Sequence, residues 1–389
     1  MNEDIRVGTS FYIRDLNKAS IFSLIHKYGP ISRKELAANT DYSKATITNH
    51  VNRLLENDYL IETDKGHSTG GRKPVYLVVN PDKAYIFVLS IEVKNIELVL
   101  FDLDFEIVAR RNFDIKFKPE EIMNEINNEI VNILLKQGIS ENRIIGIGVS
   151  VPGIVNRNDQ SLVFAPNLGW KDIKIADIIK AKFKFPIIIE NEANAAALGE
   201  KEFGDYESDN LIYVSINEGV GCGIIIDDRL YRGSSGNAGE FGHIIIDNDG
   251  LNCHCGKNGC WETNSSENFI INTVNDSLNK SLKINEIYQE AQNENEEIIK
   301  ILNQTGENIG LGLVNIINSL SPKKLIIGGN ITKVKDFISD DIMKVVTEKT
   351  LSASLDKTDI EFSKEVNNPI IYGMAQLIFN KYFNIYKCI

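Results

Sequence analysis

One histidine and three cysteines lie within eighteen residues of the chain and offer the donor atoms that zinc prefers. His243, Cys253, Cys255 and Cys260 follow the spacing H-x9-C-x-C-x4-C. Three thiolates and one imidazole form a complete tetrahedral ligand set, which leaves no open position for chemistry at the ion. The spacing therefore predicts a structural zinc site.

Two alternatives to this ligand set stay open. A disulfide would leave one of the three thiols unpaired, and Cys253 and Cys255 are too close in the chain to bridge easily. His254 could replace His243 as the nitrogen ligand, although it lies inside the Cys-x-Cys turn. The other two of the five cysteines stand alone, and this usage is typical of a reducing compartment. We therefore expect a cytoplasmic protein that binds metal and has no disulfides.

The composition is ordinary for a protein that folds in water. A chain of 389 residues predicts two or three domains, and 43% hydrophobic with 25% charged residues are usual values. The sequence contains no run of eighteen apolar residues, and its first residues lack the basic and apolar regions of a secretory signal. We expect no membrane partner.

The net charge of −12 is divided unevenly along the chain. Residues 1–85 carry 12 Lys and Arg against 10 Asp and Glu, which leaves 30 against 44 for the remainder. The first part is thus slightly basic and could meet a phosphate backbone without general repulsion. The acidity belongs to the long second part.

Residues 1–82 carry three short helical patterns followed by two extended runs. The first pattern ends at Gly29-Pro30. Ser32 would cap the second helix, with Glu35 at the reciprocal position of a capping box. A four-residue break leads into a third helix, whose buried stripe consists of Ile47, Val51, Leu54 and Leu55. This order predicts a helix-turn-helix DNA-binding domain.

The opposite face of the third helix carries small and hydrogen-bonding side chains, which can approach base edges. Lys44, near the start of that helix, could reach a phosphate. The residues predicted to contact DNA on this helix are Lys44, Ala45, Thr46, Asn49 and Arg53.

The extended runs Tyr59–Thr63 and Val75–Val79 flank a glycine-rich tip that ends in Arg72, Lys73 and Pro74. Such a tip suits a wing laid along the DNA backbone or into a minor groove, so Arg72 and Lys73 are also predicted DNA contacts. The alternative is a dimerisation or protein-binding module. A single helix-turn-helix reads few base pairs, so we expect a homodimer, possibly a tetramer, on a two-fold operator.

Residues 83–389 show strand hairpins followed by helices in two successive series. This pattern predicts two α/β lobes with a cleft between them, the first at 83–198 and the second, with the zinc loop, at 199–368. The C-terminal helical pattern, within 369–389, is expected to return to the first lobe. Strand patterns at 211–216, 223–226 and 244–247 open the second series.

Several short motifs, spread over essentially the whole chain, are similar to those of one family. They are Ser68-Thr69-Gly70-Gly71-Arg72-Lys73-Pro74, Gly146-Ile147-Gly148-Val149 with Pro152-Gly153, Pro166-Asn167 with Trp170, Glu190-Asn191-Glu192-Ala193-Asn194-Ala195, Leu230-Tyr231-Arg232-Gly233, and Glu240-x-Gly-His243 with the cysteine cluster. On these motifs the chain resembles the ROK family of repressors, open reading frames and sugar kinases, and within it the xylose repressors. The resemblance implies a two-lobed, actin-like α/β fold behind an N-terminal winged helix-turn-helix.

The same resemblance implies a sugar site in the cleft. Asn191 matches the asparagine that binds sugar hydroxyls, and Glu240, His243 and Glu262 match the acidic and imidazole contacts. Carboxylates and an amide can accept from and donate to vicinal hydroxyls. The other positions placed beside the sugar are Gly153, Asn167, Trp170 and Glu192. The alternative is a solvated surface charge for each acid and a core aromatic for Trp170.

The chain departs from the family's kinases at three positions on the phosphate side. The first phosphate turn of the kinases, Asp-x-Gly-Gly-Thr, corresponds here to Ser90-Ile91-Glu92-Val93-Lys94, and the second, Gly-Thr-Gly, to Asn217-Glu218-Gly219. Both changes bring a carboxylate to a place where anionic oxygen would sit, and Glu192 replaces the catalytic aspartate. We therefore expect no enzyme activity.

The resemblance favours a sugar-responsive repressor, with xylose as the first and glucose as the second choice of effector. The alternatives are an ATP-dependent sugar kinase with an added DNA-binding domain, and a DNA-bound scaffold whose lobes bind a partner protein.

Overall fold

The computed structural model describes residues 10–64, 75–113, 118–364 and 368–383, with side chains from residue 19 onwards. Its first part is a small domain of three helices and a three-stranded antiparallel sheet in the order β1-β3-β2. The elements are α1 (Ser10–Tyr28), β1 (Ile31–Ser32), α2 (Arg33–Ala38), α3 (Lys44–Glu56), β2 (Leu60–Thr63) and β3 (Tyr76–Val79).

The predicted capping box starts α2. The Glu35 amide donates to Ser32 Oγ at 3.2 Å, and the Ser32 amide donates to Glu35 Oε2 at 2.8 Å. Two of the amides at the helix start are thereby satisfied. On α3 the apolar stripe of Ile47, Val51 and Leu54 is buried, so the opposite face of this helix points to solvent.

The first lobe is built on a five-stranded sheet in the order β11-β7-β4-β5-β6. Its elements are β4 (Tyr85–Ile91), β5 (Ile96–Asp102), β6 (Ile107–Phe113), α4 (Pro119–Gln137), β7 (Ile144–Val151), β8 (Ile154–Asn156), β9 (Ser161–Ala165), β10 (Trp170–Ile173), α5 (Ile175–Lys180), β11 (Ile187–Asn191) and α6 (Glu192–Phe203). The short strands β8 to β10 form a separate antiparallel sheet after the end of β7. Strands β4, β7 and β11 run parallel, so their carboxyl ends open at one edge of the main sheet.

The second lobe is also built on a five-stranded sheet, in the order β14-β13-β12-β15-β16. Its elements are β12 (Leu211–Ile216), β13 (Val220–Ile226), β14 (Arg229–Leu230), α7 (Glu267–Leu278), α8 (Ile284–Gln292), α9 (Glu296–Leu320), β15 (Lys324–Gly328), α10 (Lys335–Lys349), α11 (Ser352–Leu355) and β16 (Asp359–Phe362). Residues 244–247 were predicted as a strand, but only Ile245 pairs there, in an isolated bridge to Cys260. The prediction is wrong because the cysteine loop folds back across this stretch and takes its hydrogen bonds.

The last helix, α12 (Pro369–Tyr382), lies against α6 and against strands β7 and β4 of the first lobe. Glycines in β7 make room for it, since a Cβ at Gly148 would lie 3.1 Å from the carbonyl oxygen of Met374. Among the residues described, the helices are all too short or too polar to cross a membrane.

Candidate functional site

A cleft of about 610 Å³ lies between the lobes. Its volume is within the usual range for small-molecule sites. The residues predicted to contact sugar that line it are Gly153, Asn167, Asn191, Glu192, Glu240, His243 and Glu262. Residues far apart in sequence are thus brought to one cavity.

Trp170 is not among the lining residues. Its side chain is 6% exposed and packs in the apolar core of the first lobe. Strand β10 pairs Trp170 with Ala165, so the indole is held within the small sheet. The structure therefore corrects the prediction of a sugar contact at Trp170 and agrees with the alternative of a core aromatic.

Asn191 joins the strand end of β11 to the first turn of α6. Its Oδ1 accepts from the amides of Ala193 and Asn194 at 2.8 and 3.3 Å, so it is the N-cap of the helix. Its Nδ2 donates to the carbonyl of Gly153 at 3.0 Å and keeps one hydrogen for another acceptor. Gly153 has φ +114°, and a Cβ there would lie 2.3 Å from the carbonyl oxygen of Phe164. Only glycine fits this place at the cleft wall.

A buried ion pair fixes the strand end that carries Asn191. Arg232 Nε, in the second lobe, donates to Glu190 Oε2 at 2.8 Å, and both side chains are less than a tenth exposed. Glu190 Oε1 accepts from the Asn191 amide and from Asn194 Nδ2, each at 3.0 Å. Both oxygens of this buried carboxylate are thus hydrogen-bonded, which offsets the cost of removing it from water.

The two nitrogens of the His243 ring lie near different side chains. Its Nδ1 lies 3.6 Å from Cys253 Sγ, and its Nε2 lies 3.9 Å from Glu240 Oε2. Burial raises the pKa of the Glu240 carboxyl, as does the nearby Glu262, while His243 acts in the opposite direction. A ring held through Nδ1 would present Nε2 and the Glu240 carboxylate together to the cleft.

The four predicted metal ligands are gathered in space. One donor atom from each of His243, Cys253, Cys255 and Cys260 lies within 4.8 Å of the others. Cys255 Sγ and Cys260 Sγ are 3.6 Å apart. Zinc with Zn–S bonds of about 2.3 Å and a Zn–N bond of about 2.0 Å holds its donors roughly 3.5–3.8 Å apart. The set therefore fits such an ion, and His243, not His254, is the histidine whose ring nitrogen lies among the three thiols.

Glu262 links the cysteine loop to the turn between β12 and β13. Its Oε2 accepts from the Val220 amide at 2.9 Å, and its Oε1 lies 3.8 Å from Cys253 Sγ. The same carboxylate would lie 2.4 Å from a Cβ at Gly219. One oxygen is thus used to fix the turn, which orients the carboxylate at the cleft.

Carboxylates crowd the other half of the cleft. Glu92, at the tip of the β4–β5 hairpin, and Glu218, in the turn after β12, face each other and Glu192. Burial raises the pKa of Glu192 to about 8, and repulsion from Glu92 and Glu218 adds to the shift. Burial and the same kind of repulsion, from Glu97 and Glu218, raise the pKa of Glu92. An added polyanion would meet the same repulsion.

An ion pair across the cleft relieves part of this charge. Lys94 Nζ, from the first lobe, lies 2.5 Å from Glu218 Oε1, from the second. Glu267 lies close to Glu218. Burial raises the pKa of Glu267, and repulsion from Glu218 adds to the shift. The turn after β12 is held to the end of β15, because Asn217 Oδ1 accepts a hydrogen bond from the Asn330 amide at 2.8 Å.

The outer face of α3 carries the predicted DNA contacts. Lys44, Ala45, Asn49 and Arg53 are exposed, and Thr46 is half-buried. Ser43 caps the helix by accepting from the Thr46 amide at 3.1 Å. Arg72 and Lys73, the other two predicted contacts, lie outside the described residues.

Comparisons with known proteins agree with this architecture. The profile of the ROK family matches residues 88–381, and that of a winged helix-turn-helix DNA-binding domain matches residues 14–61. The xylose repressor of Bacillus subtilis is 33% identical over 381 residues, which cover 97% of this chain and 99% of that protein. The chain belongs to the ROK family.

Two solved structures of known proteins superpose on this chain. A transcriptional regulator described as a homologue of the Escherichia coli MLC protein superposes with a TM-score of 0.82 at 25% identity and covers 96% of this chain and 98% of its own. A glucokinase from Streptomyces griseus, in complex with glucose and AMPPNP, superposes with a TM-score of 0.67 at 24% identity and covers 76% and 99%. The kinase thus shares the fold of the two lobes.

Sequence reasoning missed the pairing of Glu190 with Arg232 and the contact of Lys94 with Glu218. Glu190 and Arg232 lie in motifs that the sequence singled out, yet 42 positions separate them. A buried strand ending in Glu was the one available signal, because an ionised carboxylate there requires a partner. Lys94 carried no comparable signal.

Proposed function

We propose that the protein is a sugar-responsive transcriptional repressor of carbohydrate-utilisation genes. The observation that carries this proposal is the asymmetry of the cleft, which keeps hydroxyl-binding groups on one side and carries carboxylates on the phosphate side. The exposed face of α3 and the match to a repressor over nearly the whole chain support the DNA-binding role. Sugar is proposed to stabilise a lobe arrangement that fits operator DNA poorly.

Xylose is the proposed effector, with glucose second, because the relative from Bacillus subtilis is named a xylose repressor. Calorimetry with xylose, glucose and N-acetylglucosamine tests this choice. The bound sugar should weaken operator binding about five- to 150-fold in a gel shift, which corresponds to a coupling of roughly 1–3 kcal/mol. Sugar binding with unchanged operator affinity would contradict the proposal.

Operator DNA is the proposed macromolecular partner, bound by a homodimer. Lys44, Ala45, Thr46, Asn49 and Arg53 would meet the major groove, and Arg72 and Lys73 the backbone or minor groove. An Asn49→Ala variant should lose sequence preference, whereas Lys44→Ala should weaken binding to all duplexes alike. Light scattering of the protein with and without duplex gives the oligomeric state.

A sugar kinase is the second candidate, because the glucokinase shares the fold of the lobes. We propose that this chain is not an enzyme, since Glu92, Glu192 and Glu218 stand on the path of phosphoryl transfer. A coupled assay of ATP consumption with hexoses and pentoses decides between the candidates. Turnover above about 1 per second would favour the kinase.

We propose that the His243, Cys253, Cys255 and Cys260 set holds a structural zinc ion. With all four positions filled by protein, the ion would fix the loop and orient His243, and would supply no catalysis. Elemental analysis of protein purified without chelator should find one zinc per chain.

A further inference from the structure

The last helix, α12, touches both of the proposed binding sites. Asn368, which caps the helix, and Pro369 and Ile370 in its first turn line the cleft between the lobes. Phe379 and Tyr382 in its last turn, with Phe383 just beyond, contact the N-terminal domain. A helix of 14 residues spans about 21 Å, so one rigid element connects the two ends.

The cleft end of α12 is locked to α6, the helix that presents Asn191 and Glu192 to the cavity. A Cβ at Gly199 would lie 1.9 Å from the carbonyl oxygen of Pro369, and one at Gly373 would lie 1.8 Å from that of Ala195. The two backbones are therefore in direct contact. Because the two backbones touch at these glycines, a movement of the α6 start would displace α12 as well.

The far end of α12 forms an aromatic seat for the DNA-binding domain. The Phe22 ring of α1 lies 5.7 Å from the Phe379 ring and 4.4 Å from that of Phe383, measured between centroids. The Tyr59 hydroxyl is 2.7 Å from that of Tyr382, and its ring meets Phe383 edge-on at 5.5 Å.

The apolar core is continuous across this junction. Phe22 of the N-terminal domain, Met374 and Phe379 of α12 and Ala195 of α6 belong to one buried cluster. His26 extends the seat, with its ring 5.0 Å from Phe379 and 4.9 Å from Phe105 of the first lobe. The DNA-binding domain is thus packed against the lobe and is not tethered by a flexible linker alone.

We propose that α12 transmits the state of the cleft to the DNA-binding domain, so that sugar changes operator affinity by shifting the aromatic seat under Phe22 and Tyr59. This inference rests on the proposed function and names its route. The coupling is a property of the junction, and it can be weakened without touching any residue that lines the cleft or faces DNA.

Conservative changes at the seat test the proposal in the full-length protein. Phe383→Leu keeps an apolar side chain but removes ring contacts, and Tyr59→Phe with Tyr382→Phe removes only the paired hydroxyls. Tyr28→Phe, on an exposed ring of the same domain, is the matched control. The duplex is one selected from random sequence by the parent protein, and xylose is the sugar.

The expected result is an unchanged xylose Kd in all variants, within about twofold. The ratio of operator Kd with and without xylose should fall at least about threefold in the double tyrosine variant and about tenfold in Phe383→Leu, while Tyr28→Phe keeps the parent ratio. Parent-like ratios in both seat variants would overturn the proposal. If Phe383→Leu fails to fold, the tyrosine pair decides.

A second measurement works without sugar, because coupling between two sites is reciprocal. Operator duplex alone should change hydrogen exchange at the amides of residues 370–374 in the parent, and this change should shrink in the seat variants. If the parent protein bound no sugar, the proposed function would be wrong. The hydrogen-exchange data would still test whether α12 couples the DNA-binding domain to the cleft. If operator duplex leaves the hydrogen exchange of residues 370–374 unchanged in the parent protein, the proposed role of α12 is wrong.

Discussion

The two halves of the interlobe cleft are built from the same kind of element, a strand end followed by a turn or helix, yet their electrostatics differ. On the sugar side, polar groups are held by caps and buried pairs, as Asn191 is by Gly153 and by the backbone of α6. On the phosphate side, carboxylates face one another, and the pKa of Glu192 rises to about 8. One half presents hydrogen-bonding groups of the kind that a neutral polar ligand needs, and the other gathers carboxylates.

If the proposed function holds, this fold keeps one subsite of the cleft and loses the other. The glucokinase from Streptomyces griseus shares the lobes, but a fold alone does not decide function. What decides is the chemistry of the groups at each turn. The contrast between the two halves can be tested by substitution, by removal of the metal and by a change of pH.

The largest expected effect is loss of the metal. Cys260→Ser, or treatment with a chelator, should remove zinc and lower sugar affinity by roughly 100-fold or more, because the loop that holds His243 and Glu262 loses its tether. Elemental analysis and calorimetry on the same samples measure both. Cys222→Ala, a buried thiol outside the ligand set, should keep its zinc. Full sugar affinity in zinc-free protein would show that the loop needs no ion.

The next largest effect is expected at the buried ion pair of Glu190 and Arg232. Arg232→Met leaves the buried Glu190 without its ion-pair partner, so the free energy of unfolding should fall by about 3–5 kcal/mol in urea titrations. Adding Glu190→Gln should recover part of the loss. Lys94→Met breaks a cross-cleft pair whose lysine is 63% exposed, and it should cost only about 0.2–1 kcal/mol. Equal losses from the two single variants would contradict the contrast in burial.

Two glutamate-to-glutamine variants, one in each half of the cleft, compare the halves directly. Glu240→Gln removes a charged acceptor beside His243, so the sugar Kd should rise about 10- to 150-fold. Glu218→Gln makes the same change on the phosphate side, and the sugar Kd should stay within about threefold. Operator affinity without sugar should be unchanged in both variants. Calorimetry and gel shift provide the two readouts, and a larger effect at Glu218 would reverse the assignment of the halves.

The smallest effect is a pH dependence from Glu192. Its pKa is about 8 in the folded protein and near 4.5 otherwise, so the folded state holds the proton more tightly. The stabilisation is present below about pH 5 and is lost as pH rises through 8. Because water reaches the cleft, we expect a loss of about 1–2 kcal/mol, less than the full shift implies.

Thermal unfolding of the parent and Glu192→Gln from pH 5 to 9 measures this loss. The variant should be less sensitive to pH, with a remainder from Glu92, whose pKa is also raised. Groups that face Glu192 are Glu92 and Glu218, with Lys94 paired to the latter. Identical pH profiles for the two proteins would exclude Glu192 as the source.

Short-range patterns predicted the structure best. The capping box joins Ser32 and Glu35, only three positions apart, and its hydrogen bonds have the predicted partners. The four predicted metal ligands lie within one loop, and the structure gathers their donor atoms within 4.8 Å of one another, as a tetrahedral set requires. In such cases the chain has few ways to arrange itself, so spacing determines geometry.

Long-range features could not be predicted in this way. Whether Trp170 faces the cleft or the core depends on the packing of β8 to β10, which carry no strong strand pattern of their own. Glu190 meets Arg232 across the two lobes, and α12 reaches two domains at once. These contacts follow from topology, which single-residue types do not encode.

The contact of Lys94 with Glu218 joins the two lobes directly and offsets part of the negative charge at the turn after β12. The lobes can therefore meet there without a bound ligand. If the protein is the regulator proposed above, it would respond to sugar with no nucleotide in its cleft.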